Sequence, residues 1–466
     1  MKRLGVAMAL VSALALAAGA PAAEVSFHGD LNHRFLLYTN HFDWLRAEQN
    51  GVLNDGAVDE NFGEIKYRFW TEAATNDGDL KGVFAVEIGG VRFGEDSRGG
   101  AFSGDDVNIE TRWAYTDFQL PGVDRKARFK IGLQPWSVNP WLWSETAMGI
   151  RFEGAAGPVD YRLGWARGFE FTNDDDEGDA EDLDNFFAGL DFAIGGTGRV
   201  GGFGLYQTGD PDQNDPGVIA PEAFQLKRFG DLVEVDIYNF GLTGDLAFPM
   251  GGNKVFFNFD AIYQGGEVNN ATFAYDKLGL STTGDFDLSA WFGQADVGME
   301  IGPATVTYTF WYTSGDDDPA DGDLDGFLST DIDVGESIAL FEGPYSDDDY
   351  FSERHYLLDK GFIMNKLALD FQATRKLKLG VAGLHMMTAE DIEYIDGFGD
   401  RRADDSIGVE IDGYASYMLF DNMEVAVNAG YLFADDALDY FEVEEIRDGS
   451  SDEDIFVTSA RVRYKF

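Results

Sequence analysis

The amino-acid sequence predicts an all-β chain, a transmembrane antiparallel up-and-down β-barrel of about 18 strands, with 16 as the alternative count. Three observations predict it. Stretches of roughly ten to fifteen residues alternate apolar and polar side chains, the two-residue period of a strand with two different faces. The connections between them are of two kinds, very short and long, and the kinds alternate. Past the N-terminus, no stretch reaches the ~18 consecutive apolar residues of a membrane helix.

The N-terminus reads as a secretory signal over residues 1–22, and residues 23–466 as one barrel domain. Met1, Lys2 and Arg3 form a basic end, residues 4–18 an apolar core, and Ala20, Pro21 and Ala22 a small-x-small cleavage site. The first strand sets Val25, Phe27, Leu31, Phe35 and Leu37 on one face, with His33 breaking the series. Ser26, His28, Asp30, Asn32 and Arg34 occupy the other. The last strand repeats the pattern, with Phe456, Thr458, Ala460, Val462, Tyr464 and Phe466 opposite Ser459, Arg461, Arg463 and Lys465.

Eight short turns lie between them, at residues 76–79, 121–124, 156–158, 195–198, 249–252, 302–303, 374–376 and 420–422. Gly, Pro, Asn and Asp supply the backbone angles of tight hairpins there. Gly196, Gly198 and Gly201 match a dinucleotide-binding spacing by letter, but they join two strands rather than open a helix, and read as hairpin glycines. Long acidic connections run over residues 173–184, 210–231, 315–360, 389–406 and 435–454. Short turns on one side and long loops on the other are the layout of an outer-membrane barrel. Eight turns and nine outer connections need 18 strands; misreading one hairpin near residues 148–171 would leave 16. Trp113, Tyr115 and Phe118, then Trp136, Trp141 and Trp143, then Trp311 and Tyr312, fall near strand ends and are expected in the interfacial girdles.

Composition narrows the function classes. The formal charge of -50 sets nucleic acid aside as a partner. Aromatic residues at 14% argue against disorder, and the absence of cysteine excludes disulfides and thiolate chemistry. The five histidines, His28, His33, His41, His355 and His385, hold no metal-ligand spacing. Without a spaced acid, base and nucleophile, the chain reads as a non-enzyme, with an outer-membrane barrel enzyme kept as the alternative from another class.

The polar phase of the strands carries the candidate site. Arg34, Lys66, Arg68, Arg112, Arg128, Lys130, Arg151, Arg162, Arg461 and Arg463, with Glu110 and Glu153, share the phase expected to line the lumen. Walls of charge select ions; the same residues could instead form a structural network. Asp321, Asp323 and Asp325 open a D-x-D-x-D-G run, which raises calcium bound in the outer loops, although Ile332 stands where the closing Glu of such a loop belongs. No other cofactor is expected. Runs at Asp316 to Asp318, Asp347 to Asp349 and Asp174 to Asp176 extend the acidic rim. A constricting loop is sought in residues 315–360 or in the Trp-rich residues 134–145.

Residues 104–118 (GDDVNIETRWAYTDF), 120–122 (LPG), 132–135 (GLQP) and 143–149 (WSETAMG) resemble the homotrimeric outer-membrane porins of sulfate-reducing bacteria. The terminal Phe466, behind Val462 and Tyr464, is similar to the assembly signal of such barrels. The resemblance implies a homotrimer in outer-membrane lipid, each barrel passing small hydrophilic solutes. The resulting expectation is a Gram-negative outer-membrane diffusion pore; a substrate-specific channel, or an exporter of a charged saccharide, is the alternative. An acidic rim draws cations to the mouth while a basic wall favours anions inside, and the balance leans slightly toward cations.

Overall fold

The computed structural model describes residues 23–41, 58–94, 99–101, 107–169, 182–210, 233–275, 280–318, 321–330, 335–341, 359–439 and 454–466. The expected signal at residues 1–22 lies outside them, as do Asp174 to Asp176 and Asp347 to Asp349.

The strands, in chain order, are β1 (Ala23–His41), β2 (Val58–Thr75), β3 (Leu80–Arg92), β4 (Glu110–Gln119), β5 (Ala127–Pro135), β6 (Thr146–Ala156), β7 (Val159–Phe169), β8 (Leu183–Ile194), β9 (Gly198–Gly209), β10 (Glu234–Met250), β11 (Asn253–Tyr275), β12 (Leu280–Ile301), β13 (Ala304–Thr313), β14 (Asp323–Leu324), β15 (Phe362–Gln372), β16 (Leu377–Ile395), β17 (Arg401–Phe420), β18 (Met423–Ala434) and β19 (Ile455–Lys465). The two-residue β14 lies parallel to β12, so 18 of the 19 strands are staves of one antiparallel sheet. The sheet closes where β1 pairs with β19, Asn32 opposite Arg463 and Phe35 opposite Ala460. All eight tight turns stand where the sequence places them, and residues 148–171 do hold a hairpin, β6–β7. The count is therefore 18, not 16.

Closure leaves no strand edge exposed to lipid, the only way a sheet can cross a bilayer. The outer face is apolar: Phe27, Phe35, Phe240, Leu242, Trp291, Leu367, Ile411 and Phe433 are exposed on it. On β1 the alternate residues Asp30, Asn32 and Arg34 are buried on the inner side. At the seam, Arg463 donates to both carboxylate oxygens of Asp30, at 2.8 and 2.6 Å. Asp30→Ala removes this bidentate acceptor and is expected to cost about 2 kcal/mol, read as a lower urea midpoint for unfolding.

Three expectations need correction. Residues 389–406 are not a long loop. β16 and β17 run through most of the segment and meet in a tight turn at residues 396–400, where Asp396 accepts the amides of Phe398 and Asp400. The girdle assignment fails for most of its aromatics. Trp136, Trp143 and Trp311 are 2%, 4% and 0% exposed inside the barrel, and Trp113 and Tyr115 share the inner face with Ala85 and Val83. Finally, the lumen is not polar throughout. Phe286, Leu288, Ala290 and Phe292 of β12 point inward and are buried. They do so because chain, rather than water, covers them.

Candidate functional site

Twelve lumen candidates lie on seven staves, and strand register brings most of them side by side. Residues directly opposite on neighbouring strands share a face. Arg34 stands opposite Arg461 and Glu64, Lys66 opposite Asn32, and Arg68 opposite Asp30 and Glu87. Glu87 meets Glu110, Lys130 meets Asp117 and Arg151, and Glu153 meets Arg128 and Arg162. Arg112 occupies a bulge between the Thr111 and Trp113 pairings and reaches Glu145 at 2.7 Å. The result is a charged belt running from β18 and β19 through β1 to β7.

The belt is not uniform. Arg34 donates through Nε to Glu64 at 2.7 Å and is only 3% exposed, so it braces the wall rather than facing solute. Arg461, on Glu424 at 2.7 Å, is similarly buried. Arg68 pairs with Glu87, and Arg128 donates to Asp117 at 2.8 Å. Around β5 and β6 cations exceed anions: Lys126, Lys130 and Arg151 share the single carboxylate of Glu153, at 3.1, 3.1 and 2.9 Å. Arg151 and Arg162 remain part exposed. Arg167, absent from the sequence reading, adds pairs to Asp182 and Asp184.

Next to this surplus the chain folds inward. Arg151 Nη1 donates to the Pro135 carbonyl at 3.0 Å and Arg162 Nη1 to the Ser137 carbonyl at 3.2 Å. The Trp136 indole lies over Gly149 and Gly164, where an added Cβ would come within 2.8 and 2.5 Å of its ring. Trp143 stacks on Trp136 at 5.6 Å and 6°. Across the lumen, Asn139 and Trp141 donate to the two carboxylate oxygens of Asp260 on β11, at 2.6 and 3.3 Å.

The described residues of the connection between β13 and β15, namely 314–318, 321–330 and 335–341, fold inward as well, so both candidate segments enter the lumen. The Thr330 amide donates to the Leu142 carbonyl at 2.7 Å, tying one connection to the other. Gln264 takes the Leu328 amide and donates to the Leu328 carbonyl, both at 2.9 Å. It belongs to a buried amide ladder, Asn185, Gln207, Asn239 and Gln264, joined by side-chain hydrogen bonds of 2.8 to 3.4 Å. Each strand shows such an amide among apolar neighbours in the sequence, but nothing local marks the four as a ladder. Further along, a helical turn at Ile338–Phe341 is held by Glu410 of β17, whose carboxylate accepts the Ile338 amide at 2.7 Å, the Ala339 amide at 2.9 Å and the Ser337 hydroxyl at 2.5 Å. Behind it, Phe341 packs with Trp311 and Phe362.

The wall facing the basic surplus is acidic. Asp260, Asp296, Asp370, Glu410 and Asp412 line β11 to β17, against Lys366 and Lys378. A cavity of about 250 Å³ opens there, lined by Glu336, Lys366, Lys378, Asp412, Tyr414 and Glu424. The lumen therefore carries opposite charge on opposite walls, whereas the sequence reading placed the negative charge in the loops.

Asp321, Asp323 and Asp325 lie in the inward connection. The Asp321 carboxylate takes the Asp323 amide at 2.9 Å, and among the described residues no three acidic or histidine side chains gather as metal ligands. Where the connection leaves and rejoins the barrel, Asp316, Asp359 and Lys360 are buried together. Burial, and then the facing Asp359, push the Asp316 carboxyl up to about 7. A raised folded pKa means that an unfolded chain loses this proton first, so the stabilisation is full at acid pH. It falls as pH rises from near 4 to near 7, by up to ~1.4 kcal/mol per pH unit. Current flicker is expected to increase across that window, and Asp316→Asn to remove the dependence.

No family model and no curated protein matches the sequence. The fold defines the class first: a closed antiparallel 18-stranded barrel of the Gram-negative outer-membrane type. Within that class it is similar to solved Pseudomonas aeruginosa barrels. OccK8 (OprE) matches with TM-score 0.54 at 9% identity, covering 95% of this chain and 98% of that one. OccK2 (OpdF) matches with 0.54 at 13% identity and the same coverage. The outer membrane protein opdK matches with 0.51 at 11% identity, covering 95% of this chain and 99% of that one.

Proposed function

We propose that this barrel is a substrate-selective outer-membrane channel for small carboxylate-bearing solutes, rather than the general pore expected from the strand layout and the porin resemblance. The observation that carries the reading is the cationic surplus of Lys126, Lys130 and Arg151 around Glu153, set beside the inward connection and opposite Asp260. A solute passing that point meets fixed positive charge on one wall, where a carboxylate gains charge-assisted hydrogen bonds. The slight lean toward cations, drawn from the acidic rim, yields to an anion preference inside. Two similar structures hold such molecules: OccK2 (OpdF) is solved with glucuronate and OpdK with vanillate, each carrying a carboxylate.

Uptake into proteoliposomes tests the reading. Glucuronate flux is expected to saturate and to exceed that of glucose, which is of similar size and uncharged. Flux that rises linearly and follows size alone would return the protein to the general pores.

A further inference from the structure

We infer, resting on the carboxylate reading above, that Trp141 is a positioning residue for the cationic cluster around Glu153. It stands at the apex of a strut across the lumen, and through it the turn at Ile338–Phe341 sets charge selectivity as well as width.

The strut is built locally. At its base the Trp136 amide donates to the Glu145 carbonyl at 2.8 Å, and beyond them the Val138 amide donates to the Trp143 carbonyl at 3.0 Å. The chain reverses over Asn139, Pro140, Trp141 and Leu142. The Asn139 carbonyl accepts the Leu142 and Trp143 amides at 3.2 and 3.0 Å, and its side-chain oxygen accepts the Trp141 amide at 2.9 Å. Asparagine supplies an acceptor for the amide two residues on, and proline presets φ at the second position of the turn, so the reversal loses little entropy. Trp141 is thereby carried at the tip of a closed hairpin.

Both ends of the strut are tied to the barrel. At the base, the Pro135 and Ser137 carbonyls accept Arg151 of the cluster and its neighbour Arg162, so the aim of two guanidinium groups follows where those carbonyls stand. At the apex, the Trp141 ring stacks on Phe292 of β12 at 5.4 Å and 27° and meets Trp311 of β13 at 4.9 Å, while its indole N–H donates to Asp260 at 3.3 Å. Trp311 packs in turn on Phe341, 6.3 Å away at 29°, within the turn that Glu410 holds. One series of contacts therefore runs from Arg151 through the strut, Trp141, Trp311 and Phe341 to Glu410. Close-packed rings transmit a displacement because there is no empty space to absorb it. Release of the turn loosens the apex, the base carbonyls shift, and the guanidinium groups lose their fixed aim.

A double-mutant cycle tests the strut. Its readout is the anion-to-cation permeability ratio, taken from reversal potentials of single channels in a potassium glucuronate gradient. Trp141→Ala is expected to lower the ratio about 3- to 10-fold, and Trp141→Phe, which keeps the stack, to retain most of it. Glu410→Ala is expected to lower the wild-type ratio about 3-fold and to leave that of Trp141→Ala nearly unmoved, since residues acting through shared contacts do not add. Heat-modifiable migration on gels checks that each variant forms the barrel. A ratio unmoved by Trp141→Ala, a Trp141→Phe ratio as low as that of alanine, or equal shifts by Glu410→Ala in both backgrounds overturns the strut, and an anion-preferring wild type then leaves the carboxylate reading standing. A wild type that prefers cations overturns both.

Discussion

Replacing Glu410 by alanine is expected to raise single-channel conductance several-fold. Its carboxylate is fully buried and is the acceptor for the Ile338 and Ala339 amides and the Ser337 hydroxyl. A four-residue helical turn has no stability of its own, since nucleating a turn costs more than its few hydrogen bonds return. What holds it is this acceptor on one side and the packing of Phe341 on the other. Alanine leaves three buried donors without an acceptor, at about 1–3 kcal/mol each. The segment then gains by leaving the wall and solvating its amides, and the lumen widens. Glu410→Gln keeps one carbonyl oxygen, and its conductance should fall between the two. A wild-type conductance for Glu410→Ala would mean that Phe341, Trp311 and Phe362 suffice to seat the turn.

Arg151→Glu is expected to lower the permeability of anions relative to cations by about tenfold or more. It reverses the sign of one member of the cluster around Glu153 and sets two carboxylates side by side where one carboxylate now serves three cations. Unit charges 4 Å apart interact by about 4 kcal/mol at an effective dielectric of 20, so even strong screening leaves the ~1.4 kcal/mol that a factor of ten requires. Arg151 also holds the Pro135 carbonyl, so Arg151→Gln separates charge from anchoring. Glutamine removes one positive charge and should give about half the shift on a logarithmic scale. Equal reversal potentials in all three proteins would place the selectivity filter elsewhere.

The wall of the barrel was legible because its signals are local. A two-residue period decides which side chain of β1 meets lipid, and glycine or proline at each tight turn decides where the chain reverses. Those signals alone put Asp30, Arg34, Arg68, Arg151 and Arg463 on the polar phase, and strand pairing sets Asp30 beside Lys465 and Arg68, and Arg34 beside Arg461. The contents of the lumen were not legible, because they depend on contacts far apart in sequence. Trp136 has the composition of a membrane-interface residue, and only the bare backbones of Gly149 and Gly164, brought beside it by strand pairing, show that it turns inward. Asp260 sits 121 residues from its partner Asn139. Residues 389–406 are acidic enough to read as loop, yet β16 and β17 extend through most of them, with Ile392 and Tyr394 buried. Polarity predicts exposure to water; it does not predict whether another part of the chain arrives first.

The most direct test of the central claim is the reversal potential of single wild-type channels in a gradient of potassium glucuronate at neutral pH. Selection by the cluster around Glu153 predicts a potential of the sign set by the anion, together with a conductance that levels off as glucuronate rises. A potential of the opposite sign, with conductance growing in proportion to salt, would contradict it.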